Sequence, residues 1–263
     1  MTTPHRARKR FGQNFLHDQG VIRRIVAGIH PSASQHLVEI GPGQGAITES
    51  LLDSDCRLDV IELDRNLIPV LEQKFAGRDN FHMHEADAMQ FDYEQLVVGE
   101  KKLRMVGNLP YNISTPLIFH LLDSARYIED MHFMLQREVV NRMAASPGSK
   151  AWGKLGVMTQ LHCEVESLFE VPPGAFSPAP KVVSAIVRLT PRPTQPDPDQ
   201  VQRLRKVVSA AFSQRRKTLR NTLRDLVDVQ QLKQLGIDPG ARAETLSLEQ
   251  FIAISDTIGR DQQ

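Results

Sequence analysis

The feature that most constrains the fold of this chain is a short apolar run followed at once by closely spaced glycines. Leu37–Ile40 has the length and composition of a buried strand, and it opens into Gly41–Ala46, which reads GPGQGA. Glycines in such a turn let a ligand approach the backbone, and the start of the following helix offers unpaired N–H groups. The pattern therefore predicts an α/β sheet that cradles a nucleotide-like cofactor at the end of this strand.

The glycine turn alone leaves the cofactor open. Read as GxGxxA it fits the dinucleotide fingerprint, and read from Glu39 as ExGxG it fits a loop that binds S-adenosylmethionine. A second apolar run, Val60–Glu62, ends in an acid 21 residues after Gly41. A carboxylate at that place can accept hydrogen bonds from both hydroxyls of a ribose, which suits either cofactor.

Further apolar runs predict the rest of the sheet. They occur at Phe81–His84, Leu103–Val106, Met131–Leu135, Cys163–Val171 and Val182–Leu189. Their alternation with helical segments predicts a doubly wound, Rossmann-like sheet of seven strands with right-handed crossovers. The last run follows a short loop rather than a helix, so we expect an antiparallel strand there. Asp87, just after the third run, is expected to accept a hydrogen bond from the amine of a bound adenine ring.

The fourth strand runs into Asn108-Leu109-Pro110-Tyr111, at the sheet edge where α/β proteins bind ligands. This tetrapeptide suits alkylation of the adenine amine, whose lone pair is delocalised into the ring. The Asn108 side-chain oxygen and the Leu109 carbonyl, fixed by Pro110, can accept both N–H bonds and direct the lone pair at an electrophile. Tyr111 offers a face on which an extruded base can stack. The alternative interpretation is a strand-ending turn with a packed tyrosine.

A second aromatic candidate lies in a stiff loop. The segment 172–180 contains four prolines in nine residues, and such a loop can hold an aromatic side chain toward solvent at low entropic cost. Phe176 is the candidate, and its alternative role is that of an anchor packed on the core.

Composition excludes several classes of protein. The longest apolar runs are far shorter than the ~20 residues of a membrane-spanning helix, and the basic amino terminus lacks the apolar stretch of a secretory signal. The two cysteines, Cys56 and Cys163, match no metal-site spacing, so we expect a reduced, cytoplasmic protein without a metal. The formal net charge is only +1, so any affinity for nucleic acid depends on how the charges are distributed.

Basic residues concentrate in two places. Arg8, Lys9 and Arg10 belong to an amino-terminal cluster, which is either a solvated tail or an arm that contacts phosphates. Four prolines between 191 and 198 mark a boundary, which predicts domains 1–192 and 193–263, the second wholly helical. In this second domain an apolar face predicts a helix over 212–226, formed by Phe212, Leu219, Leu223 and Leu226. Between these residues Arg216, Arg220 and Arg224 repeat every four residues. Like charges at that spacing disfavour a helix, so a polyanion partner is favoured over a solvated face.

Five motifs occur together and in order along the chain. They are KRFGQNFL (9–16), EIGPG (39–43), NLPYNI (108–113), FSPAPKV (176–182) and QRRK (214–217). In this combination the chain resembles the ribosomal RNA adenine dimethyltransferases over nearly its whole length. It is most similar to the branch that dimethylates two adjacent adenosines near the 3′ end of small-subunit (16S) rRNA.

The resemblance implies a fold, a cofactor and site residues. The fold is a seven-stranded methyltransferase domain followed by a small helical domain, and the cofactor is S-adenosylmethionine. The implied cofactor contacts are Asn14, Leu16, Gly41, Gly43, Glu62, Asp87, Ala88 and Asn108. The implied catalytic residues are Asn108, Leu109, Pro110, Tyr111 and Phe176, the two aromatic side chains lying against the target base. The expected rRNA contacts are Arg8, Lys9, Arg10, Arg215, Arg216, Lys217, Arg220 and Arg224, and the expected partner of this monomer is the small ribosomal subunit.

Other functions share part of the pattern. A DNA adenine methylase would use the same Asn108–Tyr111 logic, and the related large-subunit rRNA dimethylases share the fold. A nicotinamide dehydrogenase fits the glycine loop but leaves Asn108–Tyr111 unexplained. A protein that acts chiefly as a ribosome-assembly binding factor, with methylation secondary, also fits.

Overall fold

The structure, a computed structural model, describes residues 14–260, with side chains as far as residue 258. The strands are β1 (Phe15–Leu16), β2 (His36–Ile40), β3 (Arg57–Glu62), β4 (Phe81–Glu85), β5 (Leu103–Asn108), β6 (Ile128–Gln136), β7 (Cys163–Val171), β8 (Phe176–Ser177) and β9 (Ser184–Pro191). The α-helices are α1 (Gln19–Ile29), α2 (Thr48–Leu52), α3 (Ile68–Lys74), α4 (Ser114–Asp123), α5 (Arg137–Met143), α6 (Lys154–His162), α7 (Pro198–Ala211), α8 (Leu219–Thr222), α9 (Val229–Gln234) and α10 (Leu248–Arg260). Short 3-10 helices lie at Tyr93–Leu96, Ala125–Tyr127, Pro173–Ala175 and Ala243–Thr245.

Seven of these strands form one sheet in the order β4-β3-β2-β5-β6-β9-β7. The first five in that order pair in parallel, whereas β9 runs antiparallel to β6. The predicted seven-stranded sheet and its antiparallel member are therefore confirmed. From β2 the chain moves outward to β3 and later returns to the other side of β2 as β5. Strand order thus reverses between β2 and β5, and a crevice at such a switch point is where α/β sheets bind ligands.

The first helix shows how the sequence sets these elements. The Asp18 side chain accepts a hydrogen bond from the Val21 N–H (2.9 Å) and caps α1 at its start. Ile22, Ile25 and Ile29 recur on one face of the helix, and all three are buried. Burial of that face holds α1 on the core of the sheet.

A two-stranded sheet of β1 and β8 was not predicted from the sequence. Phe15 pairs with Ser177 and Leu16 with Phe176, so the proline-rich loop pairs with the segment after residue 13. Phe176 is only 3% exposed and belongs to the apolar core. The expectation that this loop holds Phe176 toward solvent is therefore wrong, because strand pairing with Leu16 turns the ring inward. The alternative role, an anchor packed on the core, is the one found.

The chain divides into two compact units. Of the described residues, the first contains 14–140 and 166–191, and the second contains 141–165 and 192–260. The later boundary lies one residue from the predicted cut after 192. The second unit, however, also takes in residues 141–165, which carry α6 and precede the cut, so a single cut does not describe the division.

Helices of the second unit pack through large apolar side chains. In α7, Leu204, Val207 and Val208 are buried, and the rings of Phe212 and Phe251 lie 5.6 Å apart between centroids. The Trp152 indole N–H donates to the carbonyl of Leu246 (2.9 Å). These contacts give the second unit a core of its own.

A continuous helix through residues 212–226, which the sequence pattern predicted, is not present. The preceding helix ends at Ala211, where the Ser213 hydroxyl donates to the Ala210 carbonyl (2.7 Å). Thr218 then adopts an extended conformation (φ −81°, ψ 161°) and begins the separate four-residue helix α8. Leu219 and Leu223 are nevertheless buried, so the apolar side of the pattern was right although the helix was not.

Candidate active site

A pocket of about 280 Å³ opens at the carboxyl ends of β2, β3, β4 and β5. It is lined by residues 14–16, 39–44, 46–47, 61–63, 86–89 and 108–113, and we call it the strand-end pocket. All eleven predicted site residues that the structure describes in these segments line it, from the cofactor set as well as the catalytic set. Phe176 is absent from its lining.

The glycine loop after β2 needs its glycines for two reasons. Gly41 and Gly43 have positive φ angles of 66° and 59°, which residues other than glycine adopt only with strain. A Cβ at Gly43 would lie 3.1 Å from the Phe15 ring, so the loop and β1 approach too closely for a larger residue. At Gly41 a Cβ would meet nothing within 4 Å, so this part of the backbone faces open space. The loop therefore presents bare backbone to the pocket.

Glu62, at the end of β3, is held by the backbone around it. Its Oε1 accepts hydrogen bonds from the N–H groups of Leu63 (2.9 Å) and Asp64 (2.7 Å). The residue is 8% exposed, and burial raises the pKa of its carboxyl above the ordinary value. One oxygen is thus committed to the backbone, and the position of the group is fixed before any ligand arrives.

Glu39 is a site residue that sequence reasoning quoted within a motif but did not select. It is 2% exposed, lines the strand-end pocket, and accepts a hydrogen bond from the Thr48 hydroxyl (2.6 Å). Burial raises its pKa to about 7, with the Glu62 charge as a smaller cause. The sequence did offer a sign of this role. Glu39 is an acid inside the otherwise apolar run Leu37–Ile40, one residue before the end of a buried strand.

Asp87, in the turn after β4, also lines the pocket and is half-buried. Its Oδ1 accepts from the Met89 N–H (2.9 Å), and its Oδ2 accepts from the Gln90 side chain (3.2 Å). The neighbouring Ala88 is buried, and its carbonyl accepts from the Tyr93 hydroxyl (2.8 Å). These bonds fix the turn that carries both residues at the pocket wall.

Asn108 ends β5 on the opposite side of the pocket from β3. Before it, a Cβ at Gly107 would lie 2.7 Å from the Ile40 carbonyl oxygen, so glycine allows β5 to pass close to β2. The Asn108 side-chain Nδ2 donates to the Asn14 carbonyl (3.1 Å). Since this bond uses the amide nitrogen, the amide oxygen lies on the other side of the group and can accept from a ligand. The acceptor role of Asn108 stays a prediction, for which this orientation leaves the amide oxygen available.

The residues after Asn108 are fixed in turn. The Leu109 N–H donates to the Met134 carbonyl (3.3 Å), and the Pro110 carbonyl accepts from Ile113 and Ser114 at the start of α4 (both 3.1 Å). The Tyr111 hydroxyl bonds the Ser184 hydroxyl (2.7 Å). The backbone of the tetrapeptide and the tip of its tyrosine are both anchored.

Comparison with known proteins decides the family. Residues 4–259 match the family Ribosomal RNA adenine dimethylase. A protein of Pseudomonas putida is 57% identical over 260 residues, covering 98% of this chain and 97% of its own length. A protein of Saccharophagus degradans is 59% identical over 258 residues, covering 97% and 95%. Both relatives are named Ribosomal RNA small subunit methyltransferase A.

The chain belongs to the ribosomal RNA adenine dimethylase family. The resemblance drawn from the five motifs is confirmed, as is the enzyme class that it implied.

Solved structures confirm the fold of this dimethylase. The 23S rRNA methyltransferase ErmE superposes with a TM-score of 0.74 at 25% identity, covering 94% of this chain and all of that one. A dimethyladenosine transferase from Plasmodium falciparum gives a TM-score of 0.79 at 24% identity, covering 94% and 98%. The Rossmann-like sheet with a helical carboxyl-terminal part is thus shared with both.

The basic residues of the dimethylase fall outside the strand-end pocket. Arg8, Lys9 and Arg10 lie outside the described residues. The remaining five are exposed and follow one another through the turn after α7, helix α8 and the next turn: Arg215, Arg216, Lys217, Arg220 and Arg224. The predicted stripe on one helix is wrong, because Arg216 and Arg224 lie in turns on either side of α8. We call these five residues the α8 basic segment.

Two other kinds of feature are absent from the described part of the chain. Within residues 14–260 no three His, Cys, Asp or Glu side chains are grouped so that they could hold a metal ion. In the same residues no helix is both long enough and apolar enough to cross a membrane.

Proposed function

We propose that this dimethylase uses S-adenosylmethionine to dimethylate the N6 amines of two adjacent adenosines near the 3′ end of small-subunit (16S) rRNA. The observation that carries the proposal is the strand-end pocket, where the glycine loop and Glu62 face the same cavity as Asn108–Tyr111. One cavity can thus hold a nucleoside-like cofactor and a target base. The small-subunit substrate is supported by relatives that are 57% and 59% identical, against 25% for the 23S rRNA enzyme.

The residues on the cofactor side fit S-adenosylmethionine. Open space over Gly41 leaves room for the ligand beside the backbone. Glu62 accepts from the ribose hydroxyls through Oε2, since Oε1 already accepts from the Leu63 and Asp64 N–H groups. Asp87 and the small apolar Ala88 line the same pocket, which supports a role for Asp87 as the acceptor of the adenine amine. Asn14 and Leu16 close the pocket near Asn108. When bound, the cofactor would supply an electrophilic methyl carbon, and its S–CH3 bond would break to leave S-adenosylhomocysteine.

On the base side, Asn108 and the Leu109 carbonyl accept hydrogen bonds from the target amine. These acceptors favour a pyramidal nitrogen, whose lone pair then points away from the ring and can form the new N–C bond. Tyr111 stacks on the extruded base, and the proton released from the methylated amine passes to water, so no strong general base is required. A second methylation needs one remaining N–H held by an acceptor and space for the first methyl group.

Recognition of the rRNA is assigned to exposed cations. The α8 basic segment presents five positive side chains within ten residues, and Arg8, Lys9 and Arg10 are proposed to add phosphate contacts. The partner is the small ribosomal subunit, the enzyme acts as a monomer in the cytoplasm, and the methylation serves small-subunit biogenesis. Comparing small-subunit maturation in a deletion strain with a folded, inactive Asn108 variant separates the catalytic contribution from an assembly role.

Mass spectrometry tests the proposed reaction directly. Small subunits that lack the modification and, in parallel, large subunits are incubated with the enzyme and isotope-labelled S-adenosylmethionine, and the rRNA is digested with a base-specific ribonuclease to fragments whose masses locate the label. We expect labelled dimethyladenosine from two adjacent positions of small-subunit rRNA. Label in large-subunit rRNA alone, or no label in either, would contradict the proposal.

A further inference from the structure

Ser184 is a buried polar residue that the proposed chemistry does not use. It is 0% exposed, and its hydroxyl lies 2.7 Å from the Tyr111 hydroxyl. A buried hydroxyl without a partner is costly, so each of these two groups satisfies the other. The contact joins the base-stacking tyrosine to a strand on the other side of β6.

The topology of the sheet explains how a residue of β9 reaches the site. Asn108 pairs with Met134 across β5 and β6, and Met134 pairs with Ile186 across β6 and β9. Because β9 runs antiparallel, its first residue, Ser184, lies at the edge where the parallel strands end. A parallel strand in the same place would bring its last residue there instead.

Neighbouring contacts make Ser184 a firm anchor. Ser184 pairs with Gln136, and the Arg137 N–H donates to the Val183 carbonyl (3.0 Å), so the start of β9 is fixed to the end of β6. At the other end of the tyrosine, the Ser114 hydroxyl donates to the Tyr111 carbonyl (3.2 Å). The tyrosine is therefore held at its backbone and at the tip of its ring, and it lines the strand-end pocket.

We propose that Ser184 is a positioning residue that sets the placement of the Tyr111 ring for stacking of the target base. The hydroxyl lies on the long axis of the ring, so the bond restricts the tilt of the ring about Cα–Cβ. A ring free to tilt holds the base less well for attack, and a misplacement of this kind lowers the rate of the chemical step more than it lowers affinity. This inference rests on the proposed function.

Three variants and a matched control separate positioning from structure. Ser184→Ala and Tyr111→Phe each remove the same hydrogen bond, Ser184→Thr keeps a hydroxyl, and Ser255→Ala is the control. Ser255 is also 0% exposed and donates to a backbone carbonyl, that of Ile252, within α10. Steady-state methylation of small subunits gives kcat and KM, and calorimetry gives the affinity for S-adenosylmethionine.

We expect Ser184→Ala and Tyr111→Phe each to lower kcat about tenfold, a typical effect of lost orientation, with KM for the subunit and cofactor affinity unchanged. Their double variant should be no slower than either single variant, because both remove one interaction. Ser184→Thr should restore most of the rate, and Ser255→Ala should match the wild type.

A second measurement needs no substrate. The chain has three tyrosines, so the protein labelled with 3-fluorotyrosine gives three ¹⁹F signals, and Tyr111→Phe identifies one of them. Ser184→Ala should shift that signal, whereas Ser255→Ala should not. An unmoved signal, or an unchanged kcat despite a moved one, would overturn the inference while leaving the methylation intact. Absence of methyl transfer by the wild type would overturn the proposed function and the inference together.

Discussion

The two compact units of this dimethylase carry polar side chains of opposite character. In the first unit, Glu39 and Glu62 are buried, and backbone or hydroxyl groups hold them in place. In the second unit, the α8 basic segment is exposed to solvent throughout. Buried groups of fixed geometry act through short contacts that salt screens little, whereas exposed cations act through long-range attraction that salt weakens. We therefore expect chemistry to depend on the first unit and salt-dependent binding on the second.

The largest effect should come from Asn108→Ala. Loss of a preorganised acceptor that stabilises the transition state lowers rates by about 100-fold or more, whereas binding of the ribosomal subunit should change little. Single-turnover methylation at saturating enzyme, together with a filter-binding assay, separates the two quantities.

The control for this prediction is Asn221→Ala, which removes an exposed amide bonded to the Thr218 hydroxyl in the second unit. Its single-turnover rate should equal that of the wild type. An Asn108 variant that binds rRNA poorly but methylates at the wild-type rate once bound would reverse the assignment of the two units.

Burial of Glu39 should make stability depend on pH. Its pKa is raised in the folded protein from about 4.5 to about 7, so the folded state binds more protons than the unfolded state between these values. The free energy of unfolding therefore falls as pH rises through this window. Glu39→Gln keeps an acceptor for Thr48 without the charge. Its stability relative to the wild type should therefore rise by about 3 kcal/mol from pH 4.5 to 8, because a difference of one in pKa between the folded and unfolded states corresponds to ~1.4 kcal/mol.

Urea denaturation of both proteins across this range measures the difference directly. All other titrating groups are common to the two proteins, so the difference isolates Glu39. If the free energies of unfolding of the two proteins change in parallel from pH 4.5 to 8, the buried carboxylate does not destabilise the first unit.

Glu62→Ala should weaken S-adenosylmethionine binding by roughly 1–3 kcal/mol, the range for hydrogen bonds to a charged group. Glu85→Ala is the matched control, because Glu85 stands opposite Glu62 in the β3–β4 register, yet it pairs with the exposed Arg65 and does not line the pocket. Isothermal calorimetry on folded variants gives both affinities. If the Glu62 variant and the wild type bind S-adenosylmethionine with equal affinity, the carboxylate does not contact the cofactor.

The sequence predicted the first unit better than the second for a physical reason. Strands β2 and β5 are buried, and each has a glycine beside its end, Gly41 after β2 with a positive φ and Gly107 within β5 at a close approach, so pattern and turn chemistry agree there. Pairings between distant segments leave no local signal. The β1–β8 pair, which buries Phe176, and the Tyr111–Ser184 contact both join residues more than 70 positions apart.

The prediction for the second unit failed for a different reason. Periodicity in residues 212–226 matched a helix, and Leu219 and Leu223 are indeed buried. The Ser213 hydroxyl donates to the Ala210 carbonyl and so competes with helical hydrogen bonding, however, and the three consecutive cations at 215–217 have no acid three or four residues away. The chain therefore forms one turn before α8 and another after it, and the cations face solvent from these turns as well as from α8 rather than from the face of one helix.

The smallest effect should follow from replacing Arg216, Arg220 and Arg224 by Gln. Each phosphate contact that is lost removes about one released counterion, so the slope of log affinity against log salt should shallow by about 0.7–0.9 per contact. Cofactor affinity and the single-turnover rate should not change, since these belong to the first unit.

A matched triple variant neutralises three other exposed cations of the second unit, Arg205, Lys206 and Lys233. If the α8 basic segment contacts phosphates, only the variant that lacks its three arginines should have a much less steep slope. Equal changes in both variants would mean that total charge rather than this segment attracts rRNA, and an unchanged slope in the first would leave its cations solvated.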